Sequence, residues 1–221
     1  MTAFPFSVVA FDLDGTLADT APDLTAALNH SLVTLGREPV SEESVRHMVG
    51  HGARALLQKG LAATGTMTPE LVEQGFPIFL DYYEAHIADR SRPFEGLEGA
   101  LDELSAMGVK LAICTNKLES LSRQLIGALG WQARFDSLVG GDTLPVRKPD
   151  PAPLVEAIAR AGGGRAAFVG DSITDTDTAR NAGLPCVAVT FGFSDRPHDQ
   201  LGATALIDHY DALIPTLRRL G

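Results

Sequence analysis

The stretch "VVAFDLDGTLADT", from Val8 to Thr20, places two aspartates one residue apart directly after a run of apolar residues. An apolar run of this kind predicts a buried strand. Two like charges at the end of such a strand repel each other unless a cation or a reaction compensates for their proximity. Asp12 and Asp14 are therefore predicted to belong to a reactive site, and a solvated acidic turn is the alternative.

The composition places the chain among globular proteins and argues against two classes of partner. Its 221 residues suit one large domain, or a core with a smaller domain inserted into it. With 45% hydrophobic residues, a sizeable core is expected. The formal net charge of -10 argues against a general electrostatic attraction to nucleic acid or to an anionic membrane. An anionic small molecule is not excluded, because its site needs only local cations.

The sequence carries no pattern of a targeting or membrane segment. The N-terminus lacks a basic region ahead of an apolar stretch, and no apolar run approaches about 18 residues. We therefore expect a cytoplasmic protein without a membrane partner. Cys114 and Cys186 each lie in an apolar run and are predicted to be buried, reduced thiols. The pattern carries no prediction of oligomeric state.

From about residue 97 onward, short apolar runs alternate with helical patterns. The runs show no polar alternation, which is typical of parallel strands covered on both faces. Between them, Leu97, Leu101 and Leu104 recur at helical spacing. Such alternation predicts an α/β fold with a Rossmann-like parallel sheet. The predicted strands lie in VKLAICT (109–115), DSLVGG (136–141), AAFVGD (166–171) and CVAVTFG (186–192).

The stretch from about residue 17 to residue 87 contains helical patterns and no convincing strand. One predicted helix carries its apolar face at Leu24, Leu28, Leu32 and Leu35. Ser41 and Thr68 are predicted N-caps of two further helices. We therefore predict an all-helical cap domain of residues 17–87, inserted into an α/β core of residues 1–16 and 88–221.

The predicted strands end in polar residues that suit a phosphate ester as substrate. In an open parallel sheet, ligands bind outside the carboxyl ends of the strands, so residues that follow different strands are expected to meet there. The residues in question are Asp12, Asp14, Thr115, Asn116, Lys148, Asp171 and Asp175.

The acids suit phosphoryl transfer assisted by a Mg²⁺ ion. Residues two apart on an extended chain point the same way, so Asp12 and Asp14 can face one reaction centre. Mg²⁺ binds one or two carboxylates together with a phosphate oxygen, and we predict Asp12 and Asp171 as its carboxylate ligands. Beside the metal, Asp12 can attack phosphorus to form an aspartyl-phosphate. Asp14 would protonate the leaving alkoxide and later deprotonate the attacking water.

Three further residues are predicted to stabilise the charge of the transferring phosphate. Lys148 supplies a fixed positive charge, and the Thr115 hydroxyl and the Asn116 backbone N–H supply neutral donors. The alternatives are a surface position for Lys148 and a simple turn or helix cap for Thr115 and Asn116. For Asp175 the alternative is the N-cap of the helix that follows.

These motifs resemble those of the haloacid dehalogenase-type phosphatase superfamily over essentially the whole chain. DLDGT (12–16), TNK (115–117), RKPDPAP (147–153) and GDSITD (170–175) follow one another in the family's order. The resemblance implies Asp12 as nucleophile and Asp14 as acid/base, with the Asp14 backbone carbonyl and the Asp171 carboxylate as metal ligands. It further implies that Asp175 supports the metal site and that the helical insertion is the cap found in many members.

The distinctive segment of the predicted cap is VGHGARALLQKGL (49–61). It resembles the VGxGxxxL segment of bacterial phosphoglycolate phosphatases, a resemblance that implies hydrolysis of 2-phosphoglycolate to glycolate and phosphate. The carboxylate of that substrate calls for cations or backbone N–H groups in the cap. Gly50, His51, Gly52 and Arg54 are the candidates, and the alternative is that Arg54 and Lys59 form an ordinary solvated helix face.

Other functions fit the same core motifs. A sugar-phosphate phosphatase or mutase, a pyrophosphatase or a nucleotidase would share them, because only the cap distinguishes their substrates. A phosphonate hydrolase would need a Schiff-base lysine within its own motif, which surrounds no lysine here. A dehalogenase would lack the role assigned to Asp14. A receiver-like module that accepts phosphate without turnover has no need of a large cap, so the motifs favour an enzyme.

Overall fold

The computed structural model describes residues 3–194 and 196–221, in which strands alternate with helices. Within this part of the chain, six parallel strands form one sheet in the order β5-β4-β1-β6-β7-β8, and β2 pairs antiparallel with β3. The predicted α/β class and parallel sheet are confirmed. In chain order the elements are β1 (Val8–Phe11), β2 (Ala18–Asp19), α1 (Ala21–Thr34), α2 (Glu42–Arg46), α3 (Ala53–Ala63), α4 (Pro69–Ala85), β3 (Arg92–Pro93), α5 (Leu97–Ala106), β4 (Lys110–Cys114), α6 (Glu119–Ala128), β5 (Ser137–Val139), α7 (Ala152–Arg160), β6 (Ala166–Gly170), α8 (Ile173–Asn181), β7 (Cys186–Val189), β8 (Ala205–Ile207) and α9 (Leu213–Arg219).

Strand β1 lies inside the sheet, and both of its faces are apolar. Val8 and Ala10 pack with residues of α7 and α8 on one face. Val9 and Phe11 pack with residues of α5 and α9 on the other face. All four side chains are fully buried. A polar residue at any of these positions would enter one of the two cores, which explains the absence of polar alternation in this strand.

The strand order opens a crevice at the carboxyl ends of β1 and β6. From β1 the chain proceeds to β4 and β5 on one side, and it then returns to β6 on the other side of β1. Connections that diverge in this way leave a gap outside the strand ends, where open sheets bind their ligands. Asp12 directly follows β1 and Asp171 directly follows β6, so both lie at this gap.

Helices α1 to α4 pack around a second hydrophobic cluster, in which Leu28, Leu57 and Phe79 are fully buried and to which Leu121 and Phe193 also contribute. The hydroxyls of Ser41 and Thr68 accept hydrogen bonds at the starts of α2 and α4, so both predicted N-caps are confirmed. The boundaries of the helical domain at residues 17 and 87 stay a prediction. No helix in the described ranges is long and apolar enough to cross a bilayer.

The two-stranded ribbon of β2 and β3 flanks the helical segment, and the sequence pattern did not predict it. Next to the ribbon, the Asp23 carboxylate accepts hydrogen bonds from the backbone N–H groups of Arg90 and Ser91. The chain therefore enters and leaves the helical segment through neighbouring, hydrogen-bonded strands. Strand β8, which covers three residues, was also not predicted from the sequence pattern.

Both cysteines are buried free thiols, as predicted. Burial raises the pKa of Cys114 to about 12, and it raises the pKa of Cys186 as well. Thiols with such values stay protonated at neutral pH, and the thiolate is the nucleophilic form. A nucleophilic role for either cysteine is therefore disfavoured.

Candidate functional site

The ends of β1 and β6 bring three of the predicted acids together. One carboxylate oxygen from each of Asp12, Asp171 and Asp175 lies within 4.8 Å of the other two. All three residues are buried. Asp12 extends β1, Asp171 begins the turn after β6, and Asp175 lies in the first turn of α8. The fold thus forms a buried acidic cluster in the crevice.

Lys148 is the buried counter-ion of two of these carboxylates. Its Nζ lies 2.9 Å from Oδ1 of Asp12 and 2.6 Å from Oδ1 of Asp175. Burial disfavours the ammonium charge, but the two carboxylates outweigh burial and raise the pKa of Lys148. Burial also raises the pKa of Asp12 to about 6, although Lys148 opposes that rise. The alternative of a surface position for Lys148 is wrong.

Asp171 is held by neutral donors. The Thr16 hydroxyl donates to its Oδ1 at 2.9 Å, and the Phe193 backbone N–H donates to its Oδ2 at 2.7 Å. Burial raises the pKa of Asp171 well above its usual value, and repulsion from Asp175 and Asp12 adds to the rise. Among the described residues no cationic side chain forms an ion pair with this carboxylate. Of the three clustered acids, Asp171 has the most to gain from a further cation.

Two glycines let the backbone approach the Asp171 carboxyl group closely. A Cβ on Gly15 would lie 2.3 Å from Oδ2 of Asp171, and a Cβ on Gly192 would lie 2.3 Å from the Asp171 Cβ. Gly15 also has a φ of +80°, which side chains disfavour. The glycine of the DLDGT motif is therefore required both by the turn and by the nearby carboxylate.

Asp175 occupies the third position of α8, and the alternative N-cap role is wrong, because Ser172 is the N-cap. Oδ2 of Asp175 accepts hydrogen bonds from the Ser172 hydroxyl at 2.6 Å, from the Ser172 N–H at 3.1 Å and from the Asp171 N–H at 3.2 Å. Its Oδ1 accepts from Lys148. Asp175 therefore holds Lys148 and the turn that carries Asp171 in fixed positions.

A second buried lysine, Lys117, lies beside Asp14. Its Nζ donates to the two Asp14 carboxylate oxygens at 3.0 and 3.3 Å and to the Tyr83 hydroxyl at 2.7 Å. The Thr20 hydroxyl also donates to Asp14, at 2.7 Å. Burial opposes the lysine charge, but Asp14 and Tyr83 raise the pKa of Lys117 to about 12. Burial raises the pKa of Tyr83 to about 12 as well, so an ammonium faces a neutral phenol at neutral pH.

Sequence reasoning missed Lys117 as a site residue. The available signal was its position at the end of the TNK motif, directly after two predicted phosphate-binding residues. Its partner Tyr83 lies on α4, 34 residues from Lys117 in the sequence. A contact at that separation cannot be predicted from a local sequence pattern.

The site contains more negative than positive charge. When ionised, its four aspartates supply four negative charges, and Lys117 and Lys148 supply two positive charges. An excess of two negative charges is unfavourable in a buried setting. Burial, together with repulsion from neighbouring carboxylates, accordingly raises the pKa values of Asp12 and Asp171. A divalent metal ion with oxygen ligands matches both the charge and the donor atoms. The residues present therefore fit a divalent metal ion.

Thr115 and Asn116 follow β4 and are buried at the same edge of the sheet. The Asn116 side-chain amide donates to the carbonyls of Gly50 and Lys148, at 3.1 Å each. Because both partners are carbonyls, the amide NH₂ must face them. Oδ1 of Asn116 is buried and, among the described residues, has no hydrogen-bond partner. Asn116 thus links the helical segment to the core through its side chain.

A cavity of about 30 Å³ lies between this edge and the helical segment. About half of its lining residues belong to the helical segment, which therefore covers the site. The core contributes Asp12, Asp14, Thr115, Asn116, Lys117 and Leu121 to its lining, and the helical segment contributes Leu24, Val49, Gly50, Gly52, Ala53, Leu56 and Tyr83.

The four predicted cap residues differ in their relation to this cavity. Gly50 and Gly52 line it, with φ values of +103° and +88°. His51 and Arg54 are not among its lining residues. NH1 of Arg54 lies 2.5 Å from Oε1 of Glu73, and the Arg54 side chain is 42% exposed. The structure does not bring Arg54 to the cavity, and the substrate contact predicted for it stays a prediction.

Known proteins match this sequence and structure over most of the chain. A family model described as haloacid dehalogenase-like hydrolase matches residues 9–189. A relative from Mesorhizobium japonicum named phosphoglycolate phosphatase is 46% identical over 210 residues, which cover 93% of this chain and 92% of the relative. One of the same name from Caulobacter vibrioides is 44% identical over 211 residues, which cover 92% of this chain and 87% of the relative. A crystal structure from Haemophilus somnus, described as a predicted phosphoglycolate phosphatase, matches with a TM-score of 0.90 at 29% identity and covers 96% of this chain and 97% of its own.

We expect Gly15→Ala to disturb the acidic cluster, because the added Cβ meets the Asp171 carboxylate. Gly36→Ala is the matched control: its φ is +72°, and no described heavy atom outside the adjoining residues lies within 4 Å of the added Cβ. Backbone strain alone costs about 1–2 kcal/mol in both variants. The collision should add at least about 1 kcal/mol in Gly15→Ala and abolish stabilisation by divalent cations. Urea unfolding with and without a divalent cation measures both effects, and equal results for the two variants would contradict the site geometry.

Proposed function

The chain belongs to the haloacid dehalogenase-like hydrolase family and is a phosphatase, and we propose that its substrate is 2-phosphoglycolate, hydrolysed to glycolate and phosphate with Mg²⁺ as the metal ion. The observation that carries the proposal is the extent of the match to relatives named phosphoglycolate phosphatase. A match over 93% of this chain at 46% identity includes most of the helical segment. That segment covers the cavity and is therefore the part that selects among phosphate esters.

We assign the metal site to the acidic cluster. Asp12 and Asp171 are the proposed carboxylate ligands, with the Asp14 backbone carbonyl as a third ligand from the protein. Asp175 has both oxygens occupied by donors of the protein, which supports a role behind the ligands rather than among them. When bound, Mg²⁺ supplies positive charge that neutralises the carboxylates and the substrate phosphate.

Asp12 is the proposed nucleophile. A carboxylate oxygen of Asp12 forms a bond to phosphorus while the bond between phosphorus and the ester oxygen breaks, and an aspartyl-phosphate results. Lys148, 2.9 Å from Oδ1 of Asp12, holds the carboxylate in place before the attack. During the attack the negative charge of Asp12 passes to the departing ester oxygen, and the Lys148 ammonium can offset the charge that the phosphate oxygens retain.

Asp14 is the proposed acid and base. Its carboxyl group would give a proton to the departing alkoxide and then accept a proton from the water that hydrolyses the aspartyl-phosphate. Asp14 lines the cavity two residues beyond Asp12, where a leaving group would lie. Its hydrogen bonds to Thr20 and Lys117 fix the orientation of the carboxyl group.

The phosphate group is proposed to bind the Thr115 hydroxyl, the Asn116 backbone N–H and Lys148. Thr115 and Asn116 line the cavity, and Lys148 lies directly behind Asp12. Donors of this kind would stabilise the charge of the equatorial phosphate oxygens during transfer. The Asn116 side chain has a separate task, since its amide joins Gly50 of the cap to the core.

The cap segment from Gly50 to Arg54 is proposed to contact the non-phosphate part of the substrate. Gly50 and Gly52 support this through their position in the cavity wall. Because residues of the helical segment form part of the cavity wall, we expect the cap to move when substrate enters and product leaves. Because the chain is a phosphatase, the alternative of a receiver-like module without turnover is excluded. Sugar phosphates, pyrophosphate and nucleotides remain competing substrates.

A panel of phosphate monoesters tests the substrate. With Mg²⁺ present, we expect kcat/KM for 2-phosphoglycolate to exceed that for sugar phosphates, nucleoside monophosphates and pyrophosphate by at least about tenfold, since one good polar contact is worth that ratio. EDTA should remove the activity, and excess Mg²⁺ should restore it. Phosphate release is the measurement. A flat profile would show a phosphatase without this specificity.

Asp12→Asn tests the covalent mechanism. The amide cannot attack phosphorus, so a large fall in kcat is expected. Loss of a single stabilising hydrogen-bond donor lowers kcat by about 10²–10³-fold, and the fall for Asp12→Asn should be larger. The fold should persist, because the variant removes one of the excess buried negative charges. Asp102→Asn, at a surface ion pair with Arg134, is the matched control and should retain wild-type turnover. Turnover of Asp12→Asn near the wild-type rate would refute the mechanism.

A further inference from the structure

Lys117 is the one lysine that lines the cavity in the described part of the chain. Its side chain is 4% exposed. Its Nζ contacts two acceptor groups, the Asp14 carboxylate and the Tyr83 hydroxyl. An ammonium has three N–H bonds, and the contact with Asp14 Oδ2, at 3.3 Å, is the longest of the three, so a ligand carboxylate in the cavity would replace that oxygen as acceptor. None of the roles assigned above to phosphate or metal binding uses this charge.

The position of Lys117 relative to Asp14 determines which part of a bound substrate the Lys117 ammonium can contact. Asp14 is the proposed proton donor to the ester oxygen, so the remainder of the leaving group must lie beside Asp14 within the cavity. Lys117 lies 3.0 Å from Asp14, and Tyr83, its other partner, comes from the cap. The ammonium is therefore located between core and cap, beside the carboxyl group that is proposed to protonate the leaving group.

The start of α3 provides a second positive element in the cavity wall. Gly52 is the N-cap of this 11-residue helix, and Gly52 and Ala53 both line the cavity. No side chain of the described residues caps the helix there, so its first N–H groups and the positive end of its dipole are not neutralised by a side chain. Together with Lys117 it gives the cavity wall two kinds of partner for an anion.

Arg54 is poorly placed for the same task. Its guanidinium pairs with Glu73 and lies 4.2 Å from the centroid of the Phe76 ring, outside the set of cavity-lining residues. A cation that is already paired on an exposed surface contributes little to recognition inside a cavity.

We propose that Lys117 is the specificity-determining residue of the leaving-group side, and that its ammonium binds the substrate carboxylate in the cavity that the N-terminus of α3 also lines. The proposal rests on the proposed function, because it presupposes a phosphate ester whose leaving group bears a carboxylate. Binding of the carboxylate by Lys117 selects for small anionic leaving groups and against neutral ones of equal size.

The experiment compares 2-phosphoglycolate with 2-hydroxyethyl phosphate, an ester of similar size whose leaving group carries no charge. The preference of the enzyme is the ratio of kcat/KM for the two esters. For Lys117→Met we expect this preference to fall on the order of ten- to a hundredfold, the value of a charge-assisted hydrogen bond, with KM for phosphoglycolate raised. Inhibition by glycolate should weaken in the same variant, whereas inhibition by inorganic phosphate should not.

Lys110→Met is the matched control, because Lys110 lies at the opposite end of β4 in an exposed ion pair with Asp136. It should retain the wild-type preference. If Lys117→Met fails to fold, Lys117→Gln replaces it, since the glutamine amide can still donate to Asp14, and the same loss of preference is expected.

The outcomes separate the two proposals. Wild-type enzyme that prefers phosphoglycolate, combined with an unchanged preference in the folded Lys117 variant, would overturn the role of Lys117 and leave the substrate standing. Loss of the preference in Arg54→Met but not in the Lys117 variant would assign the carboxylate to Arg54 and likewise overturn the inference. Wild-type enzyme without any preference would overturn both the proposed substrate and the role of Lys117.

Discussion

The excess of buried carboxylate charge at the ends of β1 and β6 is the constraint on which the rest of the site depends. Asp12, Asp171 and Asp175 lie within a few ångströms of one another, and Lys148 compensates for only part of their charge. Burying unpaired charge is costly, so such a cluster persists only where a cation or a bound substrate completes it. The parallel sheet supplies the strand ends, and Gly15 supplies the space in which this cluster can form.

The helical segment is tied to the same edge of the sheet through residues of the core. Asn116 joins Gly50 to the core by a hydrogen bond, and Lys117 joins Tyr83 to Asp14. The position of the helical segment and the orientation of the Asp14 side chain are therefore linked by direct contacts. An enzyme built in this way completes its site when the helices lie over the crevice, and it excludes bulk water at the same time.

The fold and the meeting of Asp12 with Asp171 could be predicted from the sequence, because both follow from local sequence patterns. The apolar strand from Val8 to Phe11 and the acids that follow it are adjacent in the chain, and the fold rule for open sheets places different strand ends together. Contacts between distant residues could not be predicted in this way. The pairing of Lys117 with Asp14 spans 103 residues, and Arg54 meets Glu73 on another helix. In both cases tertiary packing, rather than local spacing, determines where the charge lies.

A crystal structure with Mg²⁺ and trifluoroberyllate, a mimic of the transferring phosphate, tests the central claim most directly. The account predicts beryllium bonded to a carboxylate oxygen of Asp12, and Mg²⁺ about 2.1 Å from oxygens of Asp12 and Asp171. The mimic should lie within reach of Lys148 and Thr115. Binding of the mimic or of the metal ion elsewhere, with the acidic cluster left without either, would contradict it.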